Sequence, residues 1–247
     1  MPASAAGAAA AARRAFLASG GSLSTYAAYK ARYDPPHLVW DLDNTLLCSV
    51  TPHPGGAEKD GTAKACVYPS DPSTYFDQID DDFAYEPGVP NTRTFWRPGA
   101  RTALSICGLF GVQHVCTAAQ GTYTANVLRE LDPDGTIFNS VIHRDAAPGI
   151  IKAGKDLSLV TNRMDRALLF DDRTRNFAPQ GGTNGIHVAP YDKVGEDGAA
   201  ELREAARLVG ISVLALLAPD ARDVSKWFRS EEHRRTFPDI LEAPTSS

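Results

Sequence analysis

The run Leu38-Val39-Trp40-Asp41-Leu42-Asp43-Asn44-Thr45-Leu46-Leu47 constrains the fold more than any other stretch of the chain. An apolar segment that ends in Asp-x-Asp-x-Thr reads as a buried strand whose C-terminal end opens into a polar loop, the place where α/β sheets carry their chemistry. Alternate residues of an extended chain point the same way, so Asp41 and Asp43 can face one pocket while Trp40 and Leu42 pack inward. Two carboxylates held that close repel each other, and a cation relieves the repulsion.

The pattern recurs downstream. Val112 to Cys116 reads as a strand that runs into Thr117-Ala118-Ala119, and Arg166 to Phe170 as a strand that runs into Asp171-Asp172. Between them lie a short strand over Ile137 to Ile142, an extended Ile150-Ile151 pair and Lys155, in a loop or at a helix start. Ile186 to Ala189 reads as a further strand that Pro190 stops. Helical patterns alternate with these strands. Trp96-Arg97-Pro98-Gly99 opens one, with Ala103, Leu104, Cys107 and Leu109 as apolar positions and Gly111 after its end. Thr122 to Leu131 is a second, closed by the Asp132-Pro133-Asp134-Gly135 turn. A third starts at Gly198, with Leu202, Ala205, Leu208 and Val209 on one face, and continues into Ile211 to Leu217; Asp223 to Phe228 forms the last. Strands and helices in alternation predict an α/β fold with a parallel sheet flanked by helices.

The ends of the chain and one internal segment break this pattern. Residues 1–36 are rich in Ala and Ser, carry Arg13, Arg14, Lys30 and Arg32, and have no acidic residue before Asp34. That composition fits a mitochondrial or plastid transit segment and equally a disordered alanine-rich tail, which leaves the compartment open between an organelle and the nucleus or cytoplasm. Asp34-Pro35-Pro36 closes the segment, so the folded domain is expected over residues 37–235, with a C-terminal tail over 236–247. Residues 48–95 form a Gly-, Pro- and Asp-rich insertion after the first strand. Its Thr74-Tyr75-Phe76 and Phe83-Ala84-Tyr85 stretches are expected to pair as a small hairpin, a flap over the pocket mouth. The acidic cluster Asp77, Asp80, Asp81 and Asp82 reads as a solvated turn.

A net charge of -5 argues against a general nucleic-acid-binding surface and restricts any affinity for phosphate to a local pocket. The four cysteines, Cys48, Cys66, Cys107 and Cys116, contain no Cys-x-x-Cys pair and read as buried thiols rather than a zinc site or disulfide framework. No apolar run is long enough to span a membrane. Nothing in the sequence indicates an oligomeric state. The six histidines are scattered, and His114, inside a strand, reads as structural.

In a parallel sheet the strand ends that carry Asp41, Asp43, Thr117, Asp171 and Asp172 share one edge, and Lys155 can join them. The set suits phosphoryl transfer: a divalent cation, an ammonium and a hydroxyl neutralise a phosphate monoester as a carboxylate attacks phosphorus. Each residue alone has a plainer role, as a turn, a strand-end hydroxyl, a solvated charge or a helix cap. Their joint order after apolar strands carries the catalytic reading.

The order Asp41-Leu42-Asp43-Asn44-Thr45, Thr117, Lys155, Asp171-Asp172 resembles the haloacid dehalogenase superfamily of aspartate-nucleophile phosphotransferases. Trp96-Arg97-Pro98-Gly99, Cys116-Thr117-Ala118 and Lys155-Asp156-Leu157-Ser158 are similar, within it, to the phosphatases acting on the RNA polymerase II C-terminal domain and to their small relatives, the NLI-interacting-factor-like proteins. The resemblance spans roughly residues 37 to 230. It implies a Rossmannoid parallel sheet with a β-hairpin flap after the first strand, a Mg²⁺ cofactor and a phosphorylated protein substrate. It implies Asp41 as nucleophile and metal ligand, and Asp43 as general acid and base with its main-chain carbonyl toward the metal. Thr117 and Lys155 hold the phosphoryl oxygens and Asp172 is the second carboxylate on the metal. Asp171 orients Lys155 or a metal-bound water, and Thr45 supports the loop. Two positions depart from the pattern: Ala118-Ala119 stands for Ala-Ser, and Arg173-Thr174 for Ser-Pro.

Two further functions compete with a magnesium-dependent protein serine/threonine phosphatase. One is a binding protein resembling the receptor subunit of the mitochondrial presequence translocase, favoured by the N-terminal composition but not by the intact Asp-x-Asp-x-Thr motif. The other is a small-metabolite phosphatase, disfavoured by the Arg-Pro-Gly and Lys-Asp-Leu-Ser motifs.

Overall fold

The computed structural model describes residues 22–50, 75–78, 92–192, 194 and 198–230. From the N-terminus the elements are α1 (Leu23–Tyr33), β1 (His37–Trp40), β2 (Leu47–Val50), β3 (Tyr75–Gln78), β4 (Thr92–Trp96), α2 (Ala100–Gly108), β5 (Val112–Cys116), α3 (Gly121–Leu131), β6 (Phe138–Ile142) and α4 (Ile150–Ala153). A 3₁₀ turn at Leu157–Leu159 then leads to β7 (Ala167–Asp171), and a 3₁₀ stretch at Thr174–Gln180 leads to β8 (Gly185–His187), α5 (Gly198–Leu217) and α6 (Ala221–Arg229).

The five strands of the main sheet are parallel and lie in the order β6-β5-β1-β7-β8, so β1 is central. A central parallel strand is covered on both faces, which is why its sequence is apolar without alternation. Leu38, Val39 and Trp40 are fully buried, as are Leu168, Leu169 and Phe170 of β7. The two-residue period still sorts them. Leu38, Trp40, Leu168 and Phe170 join one core with residues of α2, α3, α5 and α6, while Val39, Ala167 and Leu169 join a second with Ile150, Leu157 and Phe177 on the opposite face. Trp40 stacks on Phe170 at 4.3 Å between ring centroids and gives its indole proton to Gln113 Oε1 at 3.2 Å.

The Trp-Arg-Pro-Gly sequence builds the junction between β4 and α2. The Arg97 guanidinium is buried, paired with Glu201 of α5 at 2.8 Å, and donates to the Ala189 carbonyl. Gly99, at φ +82°, caps α2 in a conformation that L side chains disfavour, and a Cβ there would stand 2.9 Å from Ala205 Cβ.

Several elements differ from the sequence reading. The segment expected as a tail contains α1, capped by Ser22 and ended by Asp34, with Tyr26 and Lys30 buried. Asp34 ties the helix to the domain by pairing with Lys30, with Arg163 at 2.5 Å and with Arg166 at 3.5 Å. These partners lie far along the chain, and composition alone does not reveal them. The small sheet is antiparallel and three-stranded, in the order β2-β4-β3. The partner of Tyr75–Gln78 is thus Thr92–Trp96; Phe83 to Tyr85, and Asp80 to Asp82 of the acidic cluster, lie outside the described residues. Asp77 pairs with Arg93 at 2.6 Å. Ile150-Ile151 forms α4 rather than extended chain, because the amides of Ala153 and Gly154 find local partners in the carbonyls of Gly149 and Ile150. Leu202, on the apolar face of α5 with Ala205 and Leu208, is 56% exposed at the helix start, beside Gly99. Cys48, Cys107 and Cys116 are buried free thiols, and among the described residues no helix is long and apolar enough to cross a membrane.

Candidate active site

The C-terminal ends of β1, β5 and β7 are neighbours, and each hands the chain to a site residue. The Asp41 amide still belongs to the sheet, donating to the Phe170 carbonyl at 3.0 Å, so its side chain leaves at the sheet edge. The chain then turns sharply. The Leu42 carbonyl accepts from the amides of Thr45, Leu46 and Leu47, and Asn44 sits at φ +57° with its amide on the Leu47 carbonyl at 2.7 Å. This turn sends Leu42, Leu46 and Leu47 into the core and leaves Asp43 partly buried. The Thr117 amide continues β5 by donating to the Ile142 carbonyl at 2.9 Å, and its hydroxyl accepts from the Ala119 amide at 3.1 Å.

Lys155 arrives from the side. Gly154 at φ +92° ends α4 against the Arg175 and Asn176 carbonyls, where a Cβ would stand about as close as 3.0 Å, and the Lys155 amide donates to the Asn176 carbonyl. Asp156 caps the following turn through the Ser158 amide at 2.9 Å. The Lys155 ammonium is thereby buried 2.6 Å from Asp41 Oδ1 and 2.6 Å from Asp171 Oδ2. Oxygens of Asp41, Asp171 and Asp172 lie within 4.8 Å of one another. Thr45 and Thr117 are buried.

Burial dominates the electrostatics. It pushes the Asp41 carboxyl up to about 7, with Asp171 and Asp43 adding to the rise and Lys155 opposing it. Asp43 and Asp172 are raised for the same reason, with the Tyr123 hydroxyl opposing the rise at Asp43. Burial disfavours the Lys155 ammonium as well, but the facing Asp41 and Asp171 outweigh it and hold its pKa above the ordinary value. Acids surround one ammonium here, and the imbalance favours a further cation. Asp171 is the least available to such an ion: Asn176 Nδ2 holds both its oxygens, at 2.8 and 2.9 Å, and the Arg173 amide holds Oδ1. Asp172 Oδ1 is the opposite case, buried with no hydrogen-bond partner among the described residues.

A family model described as NLI interacting factor-like phosphatase matches residues 36–216. The chain belongs to that family. Among solved structures it is similar to Fcp1, described as an essential RNA polymerase II CTD phosphatase, at 20% identity and a TM-score of 0.49 over 91% of this chain and 59% of that one. It is also similar to a variant of the fission yeast RNA polymerase II CTD phosphatase Fcp1 bound to beryllium fluoride, at 17% identity and a TM-score of 0.48 over 89% of this chain and 60% of that one. The chain therefore spans about three-fifths of the length of either. No curated protein matches it.

Asp41, Lys155, Asp171 and Asp172 meet as one cluster, whereas the Asp43 side chain has a separate partner in Tyr123. Two polar residues escaped the sequence reading. Tyr123 falls within the helix expected over Thr122 to Leu131, and its hydroxyl reaches Asp43 from α3 at 2.5 Å. Asn176 stands five residues past Asp171, and a buried amide that serves both oxygens of a carboxylate has no signature in the sequence.

Proposed function

We propose that the chain is a Mg²⁺-dependent protein serine/threonine phosphatase that works through an aspartyl-phosphate intermediate. The observation that carries this reading is the buried Lys155 ammonium at 2.6 Å from both Asp41 and Asp171, beside the unpartnered oxygen of Asp172. An ammonium among buried acids serves a dianionic phosphoryl group and a cation better than it serves stability, because a buried ion pair often contributes little net energy. The family and the Trp96 to Gly99 and Lys155 to Ser158 motifs support the substrate class.

In the first step a carboxylate oxygen of Asp41 attacks phosphorus, and Asp43 gives its proton to the serine or threonine oxygen as that P–O bond breaks. In the second, water attacks the phosphorus while Asp43 takes its proton, and the bond to Asp41 breaks to release inorganic phosphate. Thr117 and Lys155 hold the phosphoryl oxygens through both steps, and Asp171 keeps Lys155 in place. Asp41, Asp172 and the main-chain carbonyl of Asp43 would hold Mg²⁺, and the convergence of the acids with the unpartnered Asp172 Oδ1 fits a hard cation. When bound, the ion neutralises phosphoryl charge and offsets the repulsion among the acids.

The test is turnover of a phosphoserine peptide by the full chain and by Asp41→Asn, with Mg²⁺ and with chelator. The expected result is Mg²⁺-dependent release of phosphate that Asp41→Asn abolishes. Activity that survives in Asp41→Asn sinks the mechanism, and faster turnover of sugar phosphates than of phosphopeptides sinks the substrate class.

A further inference from the structure

A line of hydroxyl groups leads from the small sheet to Asp43. The Tyr123 hydroxyl donates to Asp43 Oδ1 at 2.5 Å, its oxygen lies 2.6 Å from Ser49 Oγ, and Ser49 Oγ lies 2.8 Å from Thr94 Oγ1. Counting protons sets the direction. Tyr123 has a single proton and gives it to the carboxylate, so Ser49 donates to the Tyr123 oxygen and Thr94 donates to Ser49. Such a series polarises each bond toward the acid. Ser49 of β2 and Thr94 of β4 are directly opposite in the antiparallel register, so their hydroxyls share one face of the small sheet. The Tyr123 ring packs in the main core and is nearly buried, and Thr94 is fully buried. Both ends of the line are therefore fixed by packing, one by the domain and one by the small sheet. Asp43 Oδ2 makes no hydrogen bond among the described residues.

We propose that Tyr123 is a positioning residue for Asp43: it anchors Oδ1, leaves Oδ2 to face the leaving oxygen, and takes its own position from the small sheet through Ser49 and Thr94. The proposal rests on the reading of Asp43 as general acid and base. Oδ2 then loses its proton to the ester oxygen as the P–O bond breaks and regains one from the attacking water, while Oδ1 stays bound throughout. A carboxylate free to rotate about its last torsion would present either oxygen and spend much of its time misdirected.

The full chain is assayed with two aryl phosphates. The leaving group of para-nitrophenyl phosphate departs without a proton, whereas that of phenyl phosphate needs one. The measured quantity is kcat/KM, which reports the steps up to departure of the leaving group. With one buried hydrogen bond at stake, Tyr123→Phe is expected to lower the phenyl phosphate value about tenfold and the para-nitrophenyl phosphate value about threefold or less. Ser49→Ala, which keeps the Tyr123 ring, is expected to lower the ratio of the two values in the same direction by about twofold to threefold. A merely structural role lowers both substrates alike, so an unchanged ratio in both variants overturns the proposal. Asp43→Asn separates the two levels of the argument. If it leaves the ratio at the wild-type value, Asp43 is not the acid and both readings fall; if it lowers the ratio while Tyr123→Phe and Ser49→Ala do not, the function stands and the role of Tyr123 falls.

Discussion

Lys155 and Asp171 meet at 2.6 Å with neither side chain exposed, and the geometry of the pair is imposed from outside it. Asn176 holds Asp171 by its side-chain amide and Lys155 by its main-chain carbonyl, so one residue of the 3₁₀ stretch sets the spacing between the ammonium and its counter-charge. Polar networks of this kind cost free energy when one member is lost, since a buried ion then lacks its donors.

Asn176→Ala removes both side-chain donors while the main-chain bond to Lys155 survives. The expected loss is about 2 kcal/mol of stability, the cost of leaving a buried carboxylate under-donated, read as a lower urea midpoint with an unchanged slope. Phosphatase kcat should fall more than KM rises, because Lys155 keeps its charge but not its position. A variant as stable as wild type would show that Asp171 does not depend on Asn176.

The acids at the sheet edge are expected to oppose folding until an ion joins them. Mg²⁺ at about a hundredfold its Kd would stabilise the domain by about 2.7 kcal/mol, seen as a raised Tm that chelator reverses. Asp172→Asn should abolish that rise and, in chelator, melt above wild type, since it removes a largely buried charge held against Asp171. A wild-type Tm indifferent to Mg²⁺ and chelator would remove the metal from the site.

Asn44 occupies a left-handed conformation at φ +57°, between the two acids' turn and the core, and its carbonyl accepts from the Tyr191 amide at 2.7 Å. Asn tolerates this region better than other side chains with a Cβ, and glycine tolerates it best. Asn44→Gly should remain within a few tenths of a kcal/mol of wild type, whereas Asn44→Val should lose about 1 to 2 kcal/mol and most activity, because relief of its strain moves Asp43. Equal stability of the two variants in chemical denaturation would refute the account.

What the sequence discloses here depends on whether the deciding partner is near or far along the chain. Leu38 to Trp40 and Ala167 to Phe170 are legible as buried strands because continuous apolarity follows from being covered on both faces. The placement of Asp41, Thr117 and Asp171-Asp172 follows from that, since whatever succeeds a parallel strand emerges at one edge. Lys155 is legible only as a member of an ordered set. Helix α1 is not legible, because Lys30 is buried through Asp34, which is set by Arg163 and Arg166 more than a hundred residues on. Tyr123 sits in a helical pattern that its ring satisfies, and nothing local tells where its hydroxyl goes. Ile150-Ile151 shows the reverse failure: two β-branched residues suggest extended chain, yet a turn before them and a glycine after them close a helical turn.

His37 and His114 stack at 5.2 Å between centroids on adjacent strands, with His37 Nδ1 at 3.0 Å from His114 Nε2, and His114 Nδ1 lies 2.7 Å from Ser140 Oγ. Only one proton can lie between the facing nitrogens, so the two rings cannot both be charged. Burial pushes His114 down from 6.5 to about 4, with His37 adding to the fall; burial also lowers His37, with Arg163 and Arg166 opposing its charge and Asp165 and Asp34 favouring it. The folded state thus binds fewer protons than the unfolded chain between those values. The stabilisation is complete above about pH 6.5 and is lost as the pH falls toward about 4, amounting to about 2 to 3 kcal/mol for His114. Urea midpoints across that range should fall more steeply for wild type than for His114→Gln, which cannot take up the proton. Parallel pH profiles for the two proteins would show that the stacked pair titrates as freely in the fold as out of it.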